Sequence, residues 1–209
     1  MEQGSEEWHA IRLGKVTASR VADATDLLKS GKPGAKRETY LGELIAERLT
    51  GAAVMKFQND LMRWGKEQEP QARSLYEFMF NVEVEQVAFV DHPSIAMAGA
   101  SPDGLVGGEG LVEIKCPSTA THIDTLLRQE IPAEHVKQMV WQMSCTGRQW
   151  CDFVSYDPRL PPHMSLFVKR LDRDDDAVRA LETDVAAFLA EVDMKVDALR
   201  ALYEHKEAA

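Results

Sequence analysis

A run of apolar residues interrupted twice by charge constrains this chain more than any other stretch. Residues 111–117 read Leu-Val-Glu-Ile-Lys-Cys-Pro. A short apolar run rich in β-branched residues and closed by proline reads as a strand. In a strand, residues two apart share a face. Glu113 and Lys115 therefore point one way, and Val112, Ile114 and Cys116 the other. A charged pair on an apolar strand is costly if it is buried. It is tolerable where a metal ion or a solvent-filled cleft faces it.

Asp103 lies ten residues before Glu113, in Ser101-Pro102-Asp103-Gly104. A hairpin joining the two pieces brings its carboxylate to Glu113. Two convergent carboxylates suit a hard cation with oxygen ligands, typically Mg²⁺. A lysine beside them can hold the attacking water or help to deprotonate it. A metal can stabilise charge on phosphorus and on the leaving oxygen. Together these parts are a kit for phosphodiester hydrolysis. The plainer reading stays open at this point: Asp-Gly is a common turn, and Glu-x-Lys on a strand can be a surface ion pair.

The remainder of the chain reads as one domain spanning residues 1–209. Helices are expected over 8–13, over 17–28 with Thr17 as N-cap, and over 38–50 with a stop at Gly51. A longer helix is expected over 58–80, with Trp64, Leu75, Phe78 and Met79 facing the core and Pro70 as a kink site. Strands follow over 82–90, 95–99 and 110–116. Helices are expected over 122–128 and 134–145, strands over 150–156 and 163–169, and a long helix over 174–204. This order predicts an α/β fold of the α+β type, a mixed central sheet flanked by helices. Trp141 and Trp150 read as core aromatics. The six histidines are dispersed and receive no catalytic role.

No stretch approaches the length of a membrane span. The polar N-terminus lacks the blocks of a signal peptide, and three cysteines without paired spacing fit a reducing cytoplasm. They also exclude a four-cysteine iron–sulfur cluster. The formal net charge is -10, but it is unevenly spread. Residues 1–66 hold 11 basic against 9 acidic side chains, and residues 170–209 hold 6 against 11. A DNA surface is thus expected to draw on the first third. Its best element outside the site is the loop 29–37, with Lys32, Lys36 and Arg37 suited to phosphate contacts without sequence readout.

Several separated motifs then match one family in order. Trp8-His9, Arg12-Leu13-Gly14, Thr17-Ala18-Ser19, Trp64-Gly65-Lys66 with Glu69, the Asp103 and Glu113-Ile114-Lys115 motifs, Gln138 and Tyr156-Asp157-Pro158-Arg159 resemble the phage λ exonuclease family of the PD-(D/E)xK nucleases. The resemblance implies a restriction-endonuclease-like core and 5′→3′ digestion of one strand of linear duplex DNA to mononucleotides, leaving a 3′ overhang for recombination. It implies a ring-shaped homotrimer and a phage single-strand annealing protein as partner, in a bacterial host cytoplasm. It assigns Asp103, Glu113 and the Ile114 carbonyl to two Mg²⁺ ions, for which Mn²⁺ can substitute. Lys115 orients the water, and Glu69 supports the second metal or that water. Arg12, Ser19, Ser101 and Gln138 form a pocket for the 5′-phosphate, and Met62 is a wedge at the terminal base pair. The acidic net charge departs from what DNA tracking favours, unless only the inside of a ring is basic. Two other readings remain: an endonuclease of restriction or repair type, and an inactive DNA-end-binding module.

Overall fold

The computed structural model describes residues 3–54 and 60–203. In chain order the elements are α1 (Glu6–Arg12), β1 (Val16–Thr17), a 3-10 turn (Ala18–Arg20), α2 (Val21–Ala24), α3 (Ala35–Thr50), α4 (Asp60–Phe80), β2 (Val84–Glu85), β3 (Val90–Asp91), β4 (Ala98–Ala100), β5 (Gly104–Val106) and β6 (Gly110–Lys115). There follow α5 (Thr119–Arg128), α6 (Ala133–Thr146), β7 (Trp150–Tyr156), a 3-10 turn (Pro162–Met164), β8 (Leu166–Asp172) and α7 (Asp175–Tyr203).

The expected mixed sheet is present as five strands in the order β2-β5-β6-β7-β8. β6 and β7 are parallel and the other pairs antiparallel. Helices cover both faces, so β6 and β7 are buried on each side. On one face Leu111, Cys151 and Phe153 pack with α2, α3, α6 and α7 in the larger core. On the other, Val112, Ile114, Val154 and Tyr156 pack against Ala72 and Tyr76 of α4. The period-2 alternation of β6 and β7 is thus divided between two cores.

Four expectations are corrected. The helix expected over 17–28 is present only as the 3-10 turn Ala18–Arg20 and α2, and its start gives way to β1, because Val16 and Thr17 pair in parallel with Ala98 and Gly99. Thr17 makes no side-chain cap. The strand over 82–90 is two strands in different sheets; β3 joins a second, three-stranded sheet, β1-β4-β3. Between them, the carbonyls of Val87 and Ala88 accept from the side chains of Gln3 and Trp8, both at 2.8 Å, so side chains replace a ladder there. In α4 the buried face is Ala72 and Tyr76, whereas Phe78 and Met79 are 84% and 58% exposed. A small residue allows close approach, and apolar character alone did not reveal the phase of the helix. The strand over 163–169 begins later, after the 3-10 turn, and pairs along its whole length with β7. The start of the 58–80 helix lies outside the described residues; Pro70 stands within α4.

Candidate active site

β6 carries Glu113 into the face covered by α6, where its side chain is 1% exposed. Three donors meet its carboxylate. Gln138 Nε2 donates to Oε1 and Gln142 Nε2 to Oε2, each at 2.5 Å. The Lys115 ammonium, two residues on and on the same face, pairs with Oε1. The glutamines lie one turn apart on α6, which is why both reach the same carboxylate.

The β5–β6 hairpin delivers Asp103. Gly104 pairs with Val112, so the residue before it is directed toward Glu113. The backbone N–H of Ile114 donates to Asp103 Oδ2 at 2.7 Å. Glycine is required at 104, because a Cβ there would lie 2.0 Å from Val84 Cγ1 of β2. The third carboxylate, Glu69, comes from α4 and accepts from Arg73 at 2.7 Å. Gly65 lets α4 approach the end of β6: a Cβ there would lie 3.1 Å from the Cys116 carbonyl oxygen. Between them opens a cleft of about 360 Å³, lined by Met62, Lys66, Glu69, Ile114, Lys115 and Cys116 among others.

Burial pushes the Asp103 carboxyl well above its ordinary range, and Glu113 and Glu69 add to this against Lys115. Glu69 is raised by burial and by Glu113, against Arg73 and Lys115. Burial acts to lower the Lys115 ammonium, but Glu113, Asp103 and Glu69 override it and raise it. Lys115 is therefore favoured in its charged form and can donate hydrogen bonds to a water or a phosphate oxygen. Burial, with Glu69 and Asp103, pushes the Cys116 thiol up to about 12, which removes it as a thiolate nucleophile.

Three carboxylates meet here: Lys115 pairs with Glu113, Arg73 and Lys66 offset Glu69, and among the described residues Asp103 has no ion pair of its own. Among the described residues, no three His, Cys, Asp or Glu side chains gather closely enough to cage an ion. Mg²⁺ commonly takes one or two carboxylates and completes its shell with water and substrate phosphate. The pair Asp103 and Glu113 fits that mode.

A second centre adjoins the first through Ser101, two residues before Asp103. Arg12 Nη1 donates to Ser101 Oγ at 2.8 Å, and Trp8 Nε1 reaches the same oxygen at 3.0 Å. The Arg12 guanidinium stacks on the Trp8 ring at 3.8 Å. Burial lowers its pKa to about 10, and no carboxylate among the described residues pairs with it. A half-buried cation of this kind is suited to an anion.

The remaining expected residues are distributed unevenly. Ser19 is exposed on the 3-10 turn, 3.5 Å from the Thr17 hydroxyl. Gln138 sits on Glu113, not on Arg12 or Ser101. Met62 is 58% exposed at the mouth of the cleft. Lys32 is exposed on a turn closed by a Leu27–Pro33 bridge, and Lys36 is exposed in the first turn of α3. Arg37 is corrected: it belongs to α3 rather than to a loop. It pairs with Glu191 of α7 at 2.8 Å and stacks on Phe188, so its charge is spent inside the fold.

Residues 7–149 match the YqaJ-like viral recombinase domain. The chain belongs to that family. Among solved structures it is similar to the alkaline exonuclease LHK-Exo from Laribacter hongkongensis, at 50% identity over 98% of this chain and 100% of that one, with a TM-score of 0.90. LHK-Exo in complex with dAMP matches at 49% identity with the same coverage and TM-score. A phage-related exonuclease from Haemophilus somnus, 16% identical over 88% of this chain and 96% of that one, shares the fold at a TM-score of 0.73. No match was found among curated proteins. These likenesses agree with the λ-exonuclease-type resemblance and with a restriction-endonuclease-like core.

Two members of the site escaped the sequence reading. Gln142 could have been found from its spacing of four from Gln138 on a helix facing the charged strand. Arg73 could have been found from the same spacing to Glu69.

Proposed function

We propose that this protein is a Mg²⁺-dependent 5′→3′ exonuclease. It degrades one strand of linear double-stranded DNA to mononucleotides and leaves a 3′ overhang. The observation that carries the reading is the junction of two centres at Ser101-Pro102-Asp103: an acid cluster with a fixed ammonium, and beside it a half-buried arginine without a carboxylate partner among the described residues. The first suits a scissile phosphodiester and the second a terminal phosphate. The likeness to LHK-Exo over nearly the whole chain supports the same reading.

In this reading Asp103, Glu113 and the Ile114 carbonyl hold the metal. When bound, Mg²⁺ or Mn²⁺ supplies charge stabilisation at the phosphate and a more acidic water. Lys115 donates to that water and orients it. Glu69, steadied by Arg73, borders the cleft from the α4 side. Arg12 and Ser101, with Ser19 and Gln138 drawn in, grip the 5′-phosphate, and Met62 leans on the terminal base pair. Lys32 and Lys36 contact the backbone. A ring-shaped homotrimer threaded by DNA, a single-strand annealing partner and a role in phage-type recombination in a bacterial cytoplasm complete the proposal. Among the described residues no helix is long and apolar enough to cross a membrane.

The test is digestion of end-labelled duplex with Mg²⁺, comparing linear 5′-phosphate, linear 5′-hydroxyl and closed circular DNA. The expected result is nucleotide release from linear DNA only, fastest from 5′-phosphate ends. Cleavage of the circle at the linear rate would overturn the exonuclease reading in favour of an endonuclease. No metal-dependent release from any substrate would favour an end-binding module.

A further inference from the structure

The two glutamines that hold Glu113 differ in a way that separates their roles. Gln138 lies at the edge of the site, half-buried, and shares Oε1 with the Lys115 ammonium. It can be exchanged for water, a cation or a substrate oxygen. Gln142 is fully buried and donates to Oε2. Its own Oε1 accepts from the Cys151 thiol of β7 at 3.8 Å, which orients the amide with its N–H₂ toward Glu113. Cys151 is itself fully buried, so no water competes for that contact.

We infer that Gln142 is a positioning residue, clamping Glu113 Oε2 from the core so that Oε1, whose partners Gln138 and Lys115 reach the edge of the site, is the oxygen left for a divalent cation. A free carboxylate samples rotamers and can offer either or both oxygens. One held from behind offers a single oxygen at a defined place, and ligand-orienting contacts of this kind commonly change metal affinity about 10- to 100-fold. A neutral amide suits the task because it orders the carboxylate without cancelling its charge. An arginine at 142 would hold Glu113 as firmly but would compete with the metal. This inference rests on the metal-binding reading of Asp103 and Glu113.

The experiment is calorimetric titration of Mn²⁺ into DNA-free protein, with thermal unfolding recorded in parallel. Gln142→Met keeps the length and packing of the side chain and removes the donor. Gln142→Asn keeps the amide but shortens its reach, and serves if the methionine variant does not fold. The expected result is a loss of Mn²⁺ affinity of about 10- to 100-fold in a variant that still unfolds cooperatively. Mn²⁺ affinity within about twofold of wild type in a folded variant would overturn the role of Gln142 and leave the metal site standing. Wild-type protein that takes up no Mn²⁺ would overturn the metal site and this role together.

Discussion

Two carboxylates buried on opposite faces of neighbouring strands have opposite fates. Asp152 of β7 faces α4 and Glu113 of β6 faces α6. Both are nearly inaccessible, at 3% and 1% exposure. Asp152 receives a bidentate clasp from Arg170 of β8, at 2.8 and 2.9 Å, and the Tyr76 hydroxyl at 2.8 Å. The guanidinium also lies 3.5 Å from the Trp150 ring centroid. This charge is matched one for one by a two-point clasp. Glu113 is held by two neutral amides and by a lysine that also answers to Asp103 and Glu69. Burial is the same in the two places. What differs is whether the protein supplies the counter-charge or leaves it to be supplied from outside.

The largest test of this contrast removes the one ammonium at Glu113. Lys115→Ala is expected to lower Mg²⁺-dependent hydrolysis of linear duplex by about 10²- to 10³-fold, the range for loss of one positioned donor. Cooperative unfolding should persist, and hydrolysis near the wild-type rate would remove Lys115 from the chemistry. The counterpart is Asp152→Ala. It leaves the buried Tyr76 hydroxyl without its acceptor and should cost about 1–3 kcal/mol of stability in urea titration. Nuclease activity of the folded fraction should be unchanged. A loss of activity without a loss of stability would erase the distinction between the two carboxylates.

Arg12→Ala examines the unmatched charge of opposite sign. Removing a charge-assisted contact worth about 1.5–3 kcal/mol should reduce the preference for 5′-phosphate over 5′-hydroxyl ends by about 10- to 100-fold. An unchanged preference would dissociate Arg12 from the terminal phosphate. The smallest effect is expected at Asp157, a third buried carboxylate and again a matched one. Burial alone would raise it, but hydrogen bonds from Arg159 and Thr119 bring it down to about 2. A depressed carboxyl binds its proton more weakly in the folded state than in the unfolded chain. Its contribution is thus full above about pH 4 and is lost as pH falls toward about 2. Unfolding midpoints measured down this range should fall less steeply in Asp157→Asn than in wild type, and parallel slopes would refute the matched pairing.

Much of the catalytic end was legible from local rules. Period-2 alternation put Glu113 and Lys115 on one face, and the hairpin brought Asp103 to them, because both follow from geometry internal to β5 and β6. Gly51 ends α3 in left-handed conformation, a stop legible from residue type. Elsewhere the chain's preferences were settled by distant partners. Val16 and Thr17 became a strand because Ala98 and Gly99 offered a ladder. Phe78 and Met79 faced outward because Ala72 gave α4 a closer approach. Arg37 stands in α3 rather than on a loop, paired with Glu191 far along the chain.

What the sequence by itself determined is therefore which groups are available: acids and a lysine on an apolar strand, an arginine and a serine near them. Only the tertiary structure decided which of those charges are matched and which are left open. Residue type sets the charge of a side chain. Whether that charge is satisfied depends on donors brought from other elements, Arg170 to Asp152 in one case and Gln142 to Glu113 in the other.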